Sequence, residues 1–202
     1  MDSNVINFLT FLYNNRLIDI LRIKDDNSIG FNNRFRLQKL IFLAQSRFNL
    51  PQSYYYSIWK HGPYSRQLAQ EVYDLDIMNF IQLSHLKSLI EKIENKGSYQ
   101  LPKEFDENRF ISLFRDKEND WLEITTTLIQ IYDKMFQKRK IILAYAKSIK
   151  PHYDYEYIEQ VFNKLAREKL ILTIKEDLEN IRNRAPDFLD ALANDDKSLI
   201  KN

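Results

Sequence analysis

Apolar residues recur at helical spacing almost from the start of the chain. Val5, Phe8, Leu9, Leu12, Leu17 and Leu21 predict a first amphipathic helix over 4–23, with Ser3 as its N-cap. Asp-Asp-Asn-Ser and Gly30 then mark a loop over 25–33. Over 33–48, Phe35, Leu37, Leu40, Ile41 and Ala44 fall toward one side, with Arg36, Lys39 and Gln45 elsewhere. That spacing predicts a second helix, stopped by Asn49 and Pro51. The period then changes. Residues 53–59, SYYYSIW, are aromatic and β-branched and predict a strand. Leu68, Val72 and Leu75 restore helical spacing and predict a third helix over 65–76. A short strand is expected at 80–83. Alternation in 89–94 and 98–101, around Asn95-Lys96-Gly97, predicts a β-hairpin, with a helix over 85–94 as the alternative.

Residues 102–106 read as a boundary, and the chain beyond them as helical: 108–114, 121–136, 138–149, 154–169 and 175–192. Pro151 separates two of these segments, and Pro186 kinks or restarts the last. The expected fold class is therefore mainly α (α+β). A winged helix-turn-helix domain with a small β-hairpin wing fills 1–104, and an all-helical unit fills 105–202.

Composition narrows the picture. A chain of 202 residues, 44% hydrophobic and 13% aromatic, carries enough apolar surface for a real core. It has no cysteine, which excludes disulfides, thiolate catalysis and Cys-based zinc sites. The N-terminus lacks a basic n-region and cleavage site, and no apolar run approaches the ~18–20 residues of a membrane span, so the expectation is a cytoplasmic protein without a membrane partner. The net charge of +2 is unevenly spread. From Asn27 to Gln70 there is no Asp or Glu, while Arg34, Arg36, Lys39, Arg47, Lys60 and Arg66 are all cationic. Such a local field suits an anionic partner, although a solvated surface that happens to lack acids has the same composition.

Only three glycines are present, and Gly62 falls in His-Gly-Pro-Tyr-Ser, just ahead of the third helix. Gly62 permits a turn, Pro63 fixes the next φ near the helical value, and Ser65 is placed to cap the helix. The exposed amides of that helix terminus favour an anion, with Lys60 and His61 before it and Arg66 beside it. The capping role needs no ligand.

The motif RLQKLIFLAQ (Arg36 to Gln45), followed by YYYSIWKHGPYSRQL (Tyr54 to Leu68), resembles the YwgA-like and SocA/Panacea-like families. The matching positions are Leu37, Gln38, Lys39, Leu40, Gly62, Pro63, Tyr64, Ser65 and Leu68, within a likeness covering roughly residues 5–105. The resemblance implies a winged-helix scaffold used for nucleic-acid association, or for toxin neutralisation and adaptor-like protein binding. The chain lacks the Gly-Pro-Val form common in Panacea domains.

Two functional readings follow. In the first, a regulator binds double-stranded DNA. Arg66, Gln67 and Gln70 on the third helix suit guanine and adenine edges, while Arg36, Lys39, Lys60, His61 and a wing residue, Lys92 or Lys96, suit phosphates. The C-terminal helices then serve as a homodimer interface or bind a partner. Glu71 and Asp74 on the same helix oppose deep insertion. In the second, the same scaffold is an antitoxin- or adaptor-like interaction module without DNA contact, which the many tyrosines suit. Leu37, Leu40 and Ile41 are expected in the core, Gln38 and Lys39 on or near the surface, with a buried Gln38 bonded to the aromatic strand as the alternative. No nucleotide fingerprint, metal-ligand spacing or nucleophile motif is present, so neither enzymatic activity nor a cofactor is expected.

Overall fold

The computed structural model describes residues 3–23, 25–51, 53–81, 99–135 and 138–171. These residues form seven α-helices and one two-stranded antiparallel sheet. In chain order they are α1 (Ser3–Asn14), a 3-10 turn (Ile20–Arg22), α2 (Ser28–Arg47), β1 (Ser57–Trp59), β2 (Gly62–Tyr64), α3 (Arg66–Ile81), α4 (Glu107–Phe114), α5 (Asn119–Met135), α6 (Arg139–Ile149) and α7 (Tyr155–Arg167). The mainly helical α+β class follows directly.

Several boundaries differ from the expected ones, each for a local reason. The first helix stops at Asn14, because Arg16 takes a left-handed φ of 57° and Leu17 N–H reaches back to Leu12 C=O. That is a Schellman-type end, and the polar run Asn14-Asn15-Arg16 provides it. The second helix begins earlier than expected, inside what the sequence suggests is a loop. Asn27 caps it, its side chain accepting from the N–H groups of Ile29 and Gly30. Gly30 thus lies in the first turn, where a Cβ would collide with the backbone of Asp25. At the far end Asn49 (φ 58°) closes α2, with Leu50 N–H on Ala44 C=O. The third helix runs through 80–81, where a strand is expected. Of the hairpin expected at 89–101 only residues 99–101 are described, and they form no strand; the rest of it and the helix at 175–192 lie outside the described residues.

The boundary expected at 104/105 does not separate two cores. One cluster of buried apolar side chains takes Val5, Phe8, Leu9, Phe11 and Leu12 from α1 and Leu37, Leu40 and Ile41 from α2. The same cluster continues into Phe110 and Phe114 of α4, Leu128 of α5, Leu143 of α6 and Leu165 of α7. Its densest part is aromatic. Phe110 packs edge-on against Phe114 (4.8 Å between centroids), Phe48 (5.0 Å) and Phe8 (5.5 Å). Aromatic pairs at such spacing add to the burial of large apolar area. Two arginines of α2, one mid-helix and one at its C-terminal end, reinforce the join. Arg36 donates to the carbonyls of Leu17 and Lys117 (3.1 and 2.6 Å), and Arg47 pairs with Asp133 and reaches Leu170 C=O. The central α5 packs on α2, β2, α6 and α7, so it joins the hairpin to the C-terminal helices.

Because Phe110 is fully buried among rings from three segments, Phe110→Ala should cost about 3–5 kcal/mol of stability. Urea denaturation followed by circular dichroism measures it. A single cooperative transition losing signal from the whole chain is expected, since both halves share the cluster.

Candidate functional site

The site grows out of the connection from α2 to α3. β1 and β2 pair in the register Ser57↔Tyr64, Ile58↔Pro63 and Trp59↔Gly62, so Lys60 and His61 are the two-residue turn. This corrects the expectation for His-Gly-Pro. Gly62-Pro63-Tyr64 is the second strand and not the corner into the helix. Pro63 is tolerated there because a two-stranded sheet consists only of edges. Gly62 has φ 82°, and a Cβ on it would lie 2.7 Å from Thr127 Oγ1 and 3.4 Å from Glu123 C=O. The glycine therefore gives both the turn and close seating on α5.

Ser65 does cap α3, its Oγ accepting from Leu68 N–H at 3.3 Å. Its own backbone is fully buried and must find partners. Gln38 supplies both: its Nε2 donates to Ser65 C=O and its Oε1 accepts from Ser65 N–H, each at 3.0 Å. The neighbouring Lys39 donates from Nζ to Pro63 C=O at 2.8 Å. Both side chains lie inside, 7% and 2% exposed, so the surface positions expected for them are corrected. The hairpin backbone thus supplies the acceptor for the buried Lys39 amine.

Beneath the hairpin lies a network of charges. Glu123 of α5 accepts from Lys150 Nζ at 2.5 Å through one oxygen and lies 3.3 Å from His61 Nδ1 through the other. Lys150 is fully buried and also donates to Lys60 C=O. Burial pushes the Lys39 amine down to about 7; nearby Glu123 opposes this shift and Lys150 adds to it. Burial lowers Lys150 too, against its bond to Glu123. Two buried amines thus share one buried carboxylate.

Above Lys39 opens a cavity of about 400 Å³. Phe31, Phe35, Leu37, Trp59, Tyr64 and Val72 wall it, Arg34, Lys39 and Lys60 supply its cations, and His61 lies beside them; among the described residues no carboxylate lines it. Phe31 and Trp59 remain 53% and 57% exposed. Lys39 Nζ lies 5.0 Å from the Phe35 ring centre, a cation–π contact.

The structure separates the other expected contact residues. Arg36 is occupied on carbonyls that follow α1 and α4, apart from the hairpin cavity, and burial lowers its pKa. Lys60 and His61 are exposed at the turn, and Arg66, Gln67 and Gln70 are exposed on α3. Gln67 donates to Glu71 at 3.1 Å, and Glu71 also accepts from Tyr54. Lys92 and Lys96 lie outside the described residues. Leu37, Leu40 and Leu68 are in the core, and Tyr64 packs against Trp59 at 5.2 Å. Sequence reasoning missed Glu123, Thr127 and Lys150. The signal for Glu123 was a lone carboxylate within LEITTTLIQI, an otherwise uncharged run.

No protein-family model, curated protein or solved structure matches this chain, so the resemblance to YwgA-like and SocA/Panacea-like proteins rests on its motif residues. Among the described residues no helix is long and apolar enough to cross a membrane, and no group of three or more His, Cys, Asp or Glu could hold a metal ion.

Two predictions test this geometry. Gly62→Ala forces a side chain into a left-handed backbone against Thr127 and should cost roughly 2 kcal/mol or more, read from a urea midpoint. Lys39 bears on pH dependence. Its amine titrates near 7 when folded but at ~10.4 in the unfolded chain, so between those values the unfolded state holds more protons and stability rises with pH. Lys39→Met should flatten that rise between about pH 7 and 9, the difference from wild type isolating Lys39 from Lys150. Thermal melts across that range supply the comparison.

Proposed function

We propose that the protein is an interaction module of the antitoxin or adaptor kind, whose hairpin and second and third helices present the cavity to a protein partner. The winged-helix scaffold implied by the motif resemblance belongs to the same reading. One observation carries it: the two motif segments converge on an open aromatic cavity whose rim exposes Trp59 and Phe31. Exposed aromatics around a pocket are the usual anchors of protein interfaces, and a lining with cations and, among the described residues, no carboxylate favours an acidic partner surface.

The DNA-binding reading keeps one specific support, the exposed Lys60 and Arg66 in a stretch free of acids from Asn27 to Gln70. Against it, Arg36 and Lys39 are held inside the fold, and Gln67 is tied to Glu71.

Tagged protein at native expression separates the two. A stoichiometric protein partner should co-purify, and Trp59→Ala should weaken that complex by about 30-fold (~2 kcal/mol) without shifting the melting temperature. Lys60→Glu with Arg66→Glu should weaken it less. Duplex binding whose log K falls by roughly 0.9 per phosphate neutralised, lost in the double charge reversal and kept in Trp59→Ala, would instead favour the DNA reading. Absence of both activities sinks both.

A further inference from the structure

We infer that the cavity receives the C-terminal residue of the protein partner, its carboxylate on Lys39 Nζ and its apolar side chain against Phe35, Trp59 and Val72. This rests on the interaction-module reading and names the group that the module grips.

Lys39 carries the argument. An ammonium has three donors, and here one acceptor, Pro63 C=O, takes one of them among the described residues. The residue is 2% exposed yet lines the cavity, so its amine is shielded from bulk water and borders the cavity. A buried donor without a partner is costly, and a charged one more so. The electrostatics ask for the same group. Lys39 and Lys150 face a single carboxylate, Glu123, and a second carboxylate would leave two cations with two anions.

Shape narrows the source of that carboxylate. Of the lining residues Lys39 is almost fully buried, whereas Phe31 and Trp59 are more than half exposed, so a ligand that reaches the amine brings its anion in first and the rest follows. A chain end does this more simply than an internal acidic residue, whose backbone must pass in and out. The aromatic wall begins next to the cation, with the Phe35 ring centre 5.0 Å from Nζ. Carboxylate and apolar body must therefore be adjacent, as they are in a terminal residue. A volume of about 400 Å³ is at the small end of ligand sites, which run from roughly 300 to 1,000 Å³. Capture of a terminal carboxylate is an established mode of peptide recognition.

Among the described residues, Glu123 on α5 and Lys150 after α6 act on Lys39 electrostatically, and Arg34 on its own helix, Lys60 and His61 in the turn and Tyr64 on β2 line the same cavity. Lys39 sheds its proton as pH rises through about 7, so a bound carboxylate weakens above that value.

The test uses the full chain with N-acetyl-tryptophan and, as a neutral match, N-acetyl-tryptophanamide, titrated by NMR on the Trp59 indole and Gly62 amide signals. At about pH 6 the acid should bind at least tenfold more tightly than the amide, and this preference should fall by up to tenfold per pH unit above about 7. Lys39→Met should abolish the preference while the amide still binds, which also shows that the variant is folded. His61→Gln should keep it. Equal binding of acid and amide, or binding of neither, overturns the inference, as does a preference that survives Lys39→Met or disappears with His61→Gln. A Trp59-dependent partner complex that persists alongside equal probe binding would leave the module standing and remove only the terminal carboxylate.

Discussion

The hairpin depends on two polar side chains in the most buried stretch of α2. Pro63 brings no N–H to the sheet, and Ser65 has its whole backbone out of water. Without partners those groups would oppose the fold by the cost of desolvated hydrogen-bonding groups. Gln38 accepts from Ser65 N–H and joins Ala69 N–H in donating to Ser65 C=O, and Lys39 meets the carbonyl of Pro63. Their adjacency aims two side chains at successive points of one strand end. The corner, the start of α3 and the cavity wall then follow from that attachment.

The same attachment explains the charges underneath. Lys39 cannot bond the Pro63 carbonyl without entering the core, and Lys150 caps the Lys60 carbonyl of the turn from the other side. Each amine secures hairpin backbone and loses water in doing so. Glu123 sits between them on α5, bonds one and attracts the other, and Thr127 fixes the same helix turn by donating to Glu123 C=O. The charges are the consequence of using lysines as long hydrogen-bond donors in a dry place. A group held that way titrates nearer neutrality than a surface lysine.

The helices were legible where their cause is local. The apolar spacing of 108–114 and 138–149 corresponds closely to α4 and α6, and Asn49 marked the end of α2. The Ser65 cap was also legible, because capping needs only a hydroxyl and three residues of helix. What the sequence did not reveal depends on contacts distant along the chain. Gly30 reads as a loop residue from its neighbours, but it is in a helix because Asn27, three residues before it, caps that helix and Asp25 passes close. Gly62-Pro63 reads as a helix entrance; it is a strand because α5 receives it at Thr127 and Glu123. Arg36 and Lys39 look like surface cations since they interrupt an apolar pattern, and the carbonyls that draw them inward come from Lys117 and Pro63. The boundary at 104/105 followed from Pro102 and a change of pattern, whereas Phe105, Phe110 and Phe114 carry the core across it.

Burial of those two cations also changes what the basic stretch can do. A phosphate-binding face needs flexible cations at the surface, spaced along a groove. Here part of the charge density of 27–70 lies inside, where it supports carbonyls and raises the potential of one small cavity. In a water-poor site with aromatic walls, a single cation acts more strongly on a ligand than several in solvent, because screening is weaker. Of the six cations of this segment, Arg36, Lys39 and Arg47 are engaged on carbonyls or a carboxylate of the fold, and Lys60 and Arg66 stay exposed. The segment's basic composition therefore overstates the charge it can lay along a phosphate backbone, because those three already serve to hold helices and hairpin together.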